Sequence, residues 1–333
     1  GYFAILYNFI VMGWVINAMA SVVSVMLNMD KWTAVWLCVT IAVVYAILSG
    51  FWGVVITDIV QFFIAMFGSI ALAIIALNHV GGMDTLLQKL SSLLGTDIIH
   101  ENTLKFIPPI PDNNIGSLSF WESPFSKFLI FITVMWWSHH GTDGGGYIIQ
   151  RMSSAKNEKH ALLATLWFNL AHYAVRVWPW IIVGVVSIVM FPVIPDSYSE
   201  LGTKAGYPLV MNMLLGPGMK GILIVSFLAA FMSTIDTHLN WGASYIINDI
   251  YKRFFKPNES EKHYVIVSKV ITVILMILAA FTALKMQSIS KAWAFIFSMG
   301  AGIGLVLILR WFWWRINAWS EITALSTSIV ITL

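Results

Sequence analysis

Ser226-Phe-Leu-Ala-Ala-Phe-Met-Ser-Thr-Ile-Asp-Thr-His-Leu-Asn-Trp-Gly-Ala-Ser-Tyr-Ile-Ile-Asn-Asp-Ile-Tyr251 reads as a helix apolar enough for a bilayer, with a stripe of small and hydroxyl side chains through its middle. Side chains at i, i+3 and i+4 share one helix face. Ala230, Ser233 and Thr234 can therefore present a backbone carbonyl and two hydroxyls toward one point. Uncharged oxygen ligands suit a hard monovalent cation held between helices. The same spacing has a plainer reading: a hydroxyl bonded back to the carbonyl four residues earlier, or small side chains that admit close helix packing. Spacing alone does not separate the two.

Composition identifies the solvent. The chain of 333 residues is 59% hydrophobic and 11% charged and holds 16 Trp, with a mean hydropathy of +0.81; a soluble domain carries about 25% charged residues. A spanning helix needs about 20 mostly apolar residues. Nine such stretches occur, near 2–27, 32–49, 52–78, 124–150, 160–193, 219–248, 263–284, 289–310 and 317–333. They lack the period-two alternation of outer-membrane barrels. The net charge of +3 gives no sign of a nucleic-acid partner, and the single Cys38 lies in an apolar run, so no disulfide framework is implied. The chain opens at Gly1 and closes at Leu333 inside hydrophobic runs, without the basic and small-residue flanks of a cleavable signal. This reads as a fragment, truncated at both ends, of one transmembrane domain covering 1–333.

Lys and Arg in the short loops set the orientation. Arg151, Lys156 and Lys159, then Lys252, Arg253, Lys256 and Lys262, then Arg310 and Arg315 fall on one side if each stretch crosses once. That side is assigned as cytoplasmic, in a plasma (inner) membrane. The opposite loops, about 79–123 and 194–218, are longer and of mixed charge. In the first, Leu86, Leu87, Leu90, Leu93 and Leu94 form an amphipathic stripe that predicts a short surface helix.

Within the fourth stretch stands Trp136-Trp137-Ser138-His139-His140-Gly141-Thr142-Asp143-Gly144-Gly145-Gly146. Each Gly costs a helix about 1 kcal/mol against Ala, so residues 138–146 predict a broken helix. Unwound backbone at membrane depth occurs where it lines a cavity or is buried in protein, and transporters build solute sites there. Tight helix packing is the alternative use of the glycines. Asp58, Asp143, His139, His140, His172, Arg176, Asp236 and His238 are ionisable groups within the spans, each a functional candidate or half of a structural pair. Adjacent histidines on a helix point different ways, which argues against a metal site at His139 and His140.

Three segments resemble the sodium/solute symporter family, whose members include sodium-coupled sugar, proline and vitamin transporters. Ser49-Gly-Phe-Trp-Gly53 leading into Thr57-Asp58-Ile-Val-Gln61 is similar to the entry of the family's fifth core helix. Gln150-Arg151-Met-Ser-Ser-Ala-Lys-Asn157 resembles the end of its sixth. Ala229-Ala-Phe-Met-Ser-Thr234, closing at Asp249-Ile-Tyr251, resembles its eighth. The resemblance implies an all-α polytopic membrane protein, part of a ten-helix core of two inverted five-helix repeats with broken helices, working by alternating access. It places the first stretch at the third core helix, so the first two core helices, with their half of the sodium site, are absent. It puts Ala230, Ser233 and Thr234 on sodium-ligand positions and Asp58 on an Asp near the cytoplasmic exit path. The run Gly144-Gly145-Gly146 departs from the sugar transporters' sixth helix, and Trp293 falls near a position where they carry a polar sugar contact. Galactose or glucose specificity is therefore left open.

The sequence thus predicts a sodium-coupled symporter of a small organic solute, a sugar or polyol favoured. Sodium is the expected ion, at Ala230, Ser233 and Thr234. Trp136, Trp137, Ser138, His139 and Trp293 are the candidates for the solute cavity; the lipid bilayer is the surrounding partner, and oligomeric state is open. Two other classes fit some of these features. A membrane-embedded enzyme could use His139 or His140 as a base with Asp143, although no strong nucleophile stands beside them. A sensor could use a symporter-like input domain, with a kinase-like domain beyond Leu333.

Overall fold

The structure, a computed structural model, describes residues 2–48, 51–96, 105–112, 114–135, 137, 146–286 and 288–332. The long apolar runs become helices because a backbone in lipid must satisfy its own polar groups. In chain order they are α1 (Tyr2–Leu27), α2 (Lys31–Leu48), α3 (Phe51–Val80) and α4 (Met83–Ser92). Next come α5 (Leu118–Trp121), α6 (Pro124–Ile130), α7 (Gly146–Ser153), α8 (Glu158–Asn169), α9 (Val177–Met190) and α10 (Gly206–Leu214). The last five are α11 (Pro217–Tyr245), α12 (Glu261–Lys285), α13 (Ile289–Gly300), α14 (Ile303–Leu309) and α15 (Ala318–Thr332).

Local chemistry sets several boundaries. Asp30 caps α2, its carboxylate accepting from the Thr33 backbone N–H at 2.9 Å and from the Thr33 hydroxyl at 2.6 Å. Ser123 and Ser260 cap α6 and α12, and Pro stands in the first turn of α6 and α11, where its missing N–H costs nothing. Wide π-helical segments follow α6 at Phe131–Met135, α8 at Leu170–Val175 and α11 at Ile246–Phe255. Among the described residues five helices are long and apolar enough to cross a membrane by themselves, and α13 with α14, bent by 45° between them, are together long and apolar enough for a sixth. The expected stretch 289–310 is thus two helices, and Gly300 and Gly302 flank the bend. The predicted stripe helix is α4, with Leu86 and Leu90 buried and Leu87 exposed; Leu93 and Leu94 lie past its end.

Two compact units emerge. One comprises Gly1–Leu90 with Leu162–Ile289, the other Ser91–Ala161 with Ser290–Leu333. The first contains α1, α2, α3, α9, α10, α11 and α12. Met12, Ile16, Ala20, Cys38, Ile235, Leu239, Met276 and Ala280 form the seam where α1, α2, α11 and α12 meet. A second cluster, including Leu72, Ala76, Val183, Val186, Met211 and Leu223, joins α3, α9, α10 and the start of α11. Because lipid is as apolar as leucine, such seams are held by close packing and by polar contacts between helices. Both devices are visible. A Cβ on Gly13 would lie 2.7 Å from the Thr282 Cγ2, so α1 and α12 touch at backbone distance there. Asn17, fully buried, donates from Nδ2 to the Met286 carbonyl at 2.8 Å, an acceptor at the end of α12 that Lys31 Nζ also reaches at 3.4 Å.

In the second unit the Ser328 hydroxyl of α15 holds the α13–α14 bend. It donates to the Ser298 carbonyl at 3.1 Å and accepts from the Gly302 N–H at 3.1 Å. Gly302 admits this approach because a Cβ there would lie 3.1 Å from the Ala324 carbonyl oxygen.

Candidate ion site

The polar residues of α11 fall into two sets that differ in burial. In one, Ser226, Asp236 and His238 are buried, beside Leu223, Phe231, Ile235, Leu239 and Gly242. The Ser226 hydroxyl shares its one proton between the Ile64 carbonyl of α3 at 3.2 Å and its own Ile222 carbonyl at 3.0 Å, and Gly68 of α3 faces Leu223. His238 Nδ1 lies 2.5 Å from Asn8 Oδ1 of α1, both residues buried, with Tyr7 and Trp241 rings at centroid distances of 6.1 Å from the imidazole. The Asp236 carboxylate accepts from Asn240 Nδ2 at 3.3 Å. Two ionisable groups singled out in the sequence are thus buried and held by neighbouring side chains.

The other set holds the candidate ligands, with Ala230 and Ser233 four and seven residues beyond Ser226 on the same side of the helix. Ala230 is exposed, while Ser233 and Thr234 are half-buried. The Thr234 hydroxyl donates to the Ala230 carbonyl at 3.0 Å, which is the back-bond that the plainer reading of the sequence expects. That bond uses the hydroxyl proton and leaves the Thr234 Oγ1 lone pairs open. It also sets two oxygens side by side. No described residue bonds the Ser233 hydroxyl. The donor set is neutral and all oxygen, which fits a hard monovalent cation and not a soft metal. Among the described residues no group of three His, Cys, Asp or Glu could hold a metal.

α3 runs antiparallel to α11, since Gly68 meets Leu223 and Ile64 meets Ser226. Asp58 precedes Ile64 by six residues and Met232 follows Ser226 by six, each a rise of about 9 Å. The register therefore brings Asp58 to the level of Ser233. Asp58 is partly buried, and its Oδ1 has no hydrogen-bond partner among the described residues.

The solute candidates divide. Trp136, Ser138, His139, His140 and Asp143 lie outside the described residues, as does most of the expected break at 138–146; α7 begins at Gly146. Trp137 donates from its indole N–H to the Thr133 carbonyl at 2.6 Å. Trp293, on α13, is 45% exposed, with its ring 4.6 Å from that of Phe297. Arg176, read as a possible partner for a carboxylate, lies 3.4 Å from His172 Nε2 and 5.0 Å over the Trp180 ring. Trp180 in turn donates to the buried Ser69 hydroxyl of α3 at 3.0 Å. The sequence reading passed over Asn8, Asn17 and Ser69. Each is a polar side chain in an apolar run, which is the signal that finds such residues.

Several helices long and apolar enough to cross a membrane define a polytopic membrane protein. The chain belongs to the sodium:solute symporter family, whose model matches residues 2–330. That family is one of transporters, not enzymes, so the reading of His139, His140 and Asp143 as a catalytic group falls away. The chain is 25% identical to sodium/glucose cotransporter 4 of Danio rerio over 93% of its length and 49% of that protein's. It is 24% identical to the osmoregulated proline transporter OpuE of Bacillus subtilis, over 89% of this chain and 55% of that one. The sodium/proline symporter of Escherichia coli is also 24% identical, over 87% of this chain and 54% of its own. The chain spans about half the length of these relatives. A solved Na+-coupled sialic acid symporter, in a substrate-bound outward-open state, superposes with a TM-score of 0.63 at 20% identity. That match covers 99% of this chain and 72% of the other. The all-α polytopic fold is therefore the family's fold, and the protein is an integral multi-pass membrane protein.

Proposed function

We propose that the chain serves sodium-coupled symport of a small organic solute by alternating access, in a plasma membrane. The observation that carries this reading is the pair of oxygens, Thr234 Oγ1 and Ala230 carbonyl, 3.0 Å apart on a membrane-spanning helix. Ser233, one residue away, adds a hydroxyl that no described residue bonds. Thr234 and Ser233 contribute hydroxyl oxygens, Ala230 its carbonyl, and Asp58 lies at the same depth on α3 as a carboxylate along the ion's inward path. The ion supplies the free energy of its gradient. These residues couple it to transport by binding more tightly in one conformation than in the other, since a ligand shifts a conformational equilibrium only by that difference.

A sugar or polyol is the favoured solute. Indole rings offer flat apolar faces with a polar edge, which suit a ring with an apolar face, and Trp293 presents such a surface. Trp136, Trp137, Ser138 and His139 complete the proposed cavity. Relatives named for glucose and for proline keep both solute classes in view. The test is uptake of labelled sugars, polyols, sialic acid and proline into proteoliposomes of the intact protein, with and without an inward sodium gradient. Sodium-driven accumulation of a sugar or polyol is the expected result. Accumulation of proline alone would overturn the solute assignment, and uptake indifferent to sodium would overturn the coupling.

A further inference from the structure

We propose that the turn joining α14 to α15 is a docking site for an anionic phospholipid, with Arg315 and the indoles of Trp311, Trp314 and Trp319 receiving its headgroup. The segment reads Arg310-Trp-Phe-Trp-Trp-Arg315, and its aromatic rings point outward: Trp311 is 73% exposed, Phe312 84%, Trp314 83% and Trp319 74%. This exposure does not come from loose chain. Phe312 and Trp313 N–H groups both donate to the Leu309 carbonyl, at 2.9 and 2.7 Å, and Ile316 N–H donates to the Trp313 carbonyl at 3.1 Å. Asn317 Oδ1 then caps α15, accepting from the Trp319 and Ser320 N–H groups at 2.9 and 3.2 Å.

Charge chooses the occupant. Arg310 Nη1 pairs with Glu321 Oε1 at 3.2 Å across the turn, which neutralises both. Arg315 lies with its guanidinium 5.1 Å over the Trp314 ring, and no described carboxylate pairs with it. The three indole N–H groups likewise have no acceptor among the described residues. The turn is thus rich in donors, holds one uncompensated positive charge, and is surrounded by apolar rings. Neither bulk water nor hydrocarbon suits that combination. Water wastes the rings, and hydrocarbon leaves guanidinium and indole donors unsatisfied. The headgroup layer satisfies both, with phosphate and ester oxygens for the donors and acyl carbons for the rings. The turn also stands between two apolar segments, the bent pair of α13 and α14 ending at Leu309 and the helix beginning at Ala318. Its arginines belong to the basic loops that mark the cytoplasmic side, whose leaflet carries the anionic lipid.

The experiment uses the intact protein in vesicles of equal phosphatidylglycerol and phosphatidylcholine, with retained lipids counted by native mass spectrometry. One uncompensated guanidinium at the surface predicts about a fivefold preference for phosphatidylglycerol. Arg315→Gln should abolish that preference while leaving expression and transport unchanged, and Arg315→Lys should restore most of it. Equal phosphatidylglycerol retention by Arg315→Gln would overturn the proposal. Loss of the preference in millimolar inorganic phosphate would do the same, assigning the site to a free anion. Brominated phosphatidylglycerol should quench the fluorescence that distinguishes the protein from its Trp311→Phe, Trp314→Phe, Trp319→Phe variant. No quenching would mean that protein, not lipid, covers the turn.

Discussion

The buried and the more accessible polar residues of α11 use the same residue types for different ends. Ser226 and His238 are buried and bonded to α3 and α1. Ser233 and Thr234, half-buried, have oxygens whose lone pairs no described neighbouring helix takes up. A hydroxyl in a membrane helix is therefore not a site by its identity; the proposed site rests on oxygens left available. The contrast predicts that substitutions in the first set cost stability, and that substitutions in the second cost function with the fold intact.

The largest stability loss belongs among the buried residues. Leu239→Ala removes a side chain that is 1% exposed and packed among α1, α2 and α12. Because lipid offers little transfer penalty, the loss is mainly packing, about 2 kcal/mol or more. Thermal unfolding in detergent micelles should show it as a clear drop in midpoint. A drop no larger than that of Thr234→Ala would break the contrast between the two sets of residues.

Asn8→Ala should come next, at about 1–3 kcal/mol, because it removes one partner of a buried polar pair and leaves the His238 Nδ1 without this bond. The double variant Asn8→Ala, His238→Leu should recover part of that loss, which a chemical denaturation series would measure. Equal destabilisation of single and double variants would show that the pair does not join α1 to α11.

Trp293→Ala, on a half-open face of the second unit, should leave unfolding nearly unchanged and weaken solute affinity more than sodium affinity. Equilibrium binding of each, measured separately, distinguishes the two. Unaltered solute affinity would remove Trp293 from the cavity.

The smallest effect belongs at an exposed helix end. Hydrogen bonds from the Thr33 hydroxyl and N–H hold the Asp30 carboxyl below the usual carboxylate range. A depressed carboxylate pKa gives stability that is present above the unfolded value near 3.9 and lost as pH falls through the folded one. Protection from hydrogen exchange at the start of α2, taken relative to the intrinsic rate at each pH, should accordingly fall below about pH 4, and Asp30→Ala should show the lower protection already at neutral pH.

Much of this architecture was legible from hydropathy, because a 20-residue apolar run has one economical conformation in lipid. The stripe proposed to hold the ion was legible as a pattern, since three positions on one helix face need only local periodicity. The partners of the buried polar residues were not. Asn8 meets His238 across 230 residues, and Asn17 meets Met286 across 269. No local period encodes such pairs. The bend between α13 and α14 had a signal that went unused, the Gly300-Ala301-Gly302 run. Whether Thr234 bonds back to Ala230 was an open alternative in the sequence, and the observed bond is compatible with both readings. Only function separates them.

Ser233→Ala with Thr234→Ala provides that separation. Ala is the better helix former, and both residues are only half-buried, so expression and unfolding should stay near those of the parent. Each lost oxygen should weaken ion binding by about tenfold, as for a hydrogen bond to a charged group. Linkage then requires that the solute's affinity at fixed sodium fall as well. The decisive measurement is the sodium concentration giving half-maximal solute uptake in proteoliposomes of the intact double variant. A rise of tenfold or more, with unaltered folding, is the predicted result; an unchanged sodium requirement would show that the stripe is a packing seam whose hydroxyls serve only their own helix.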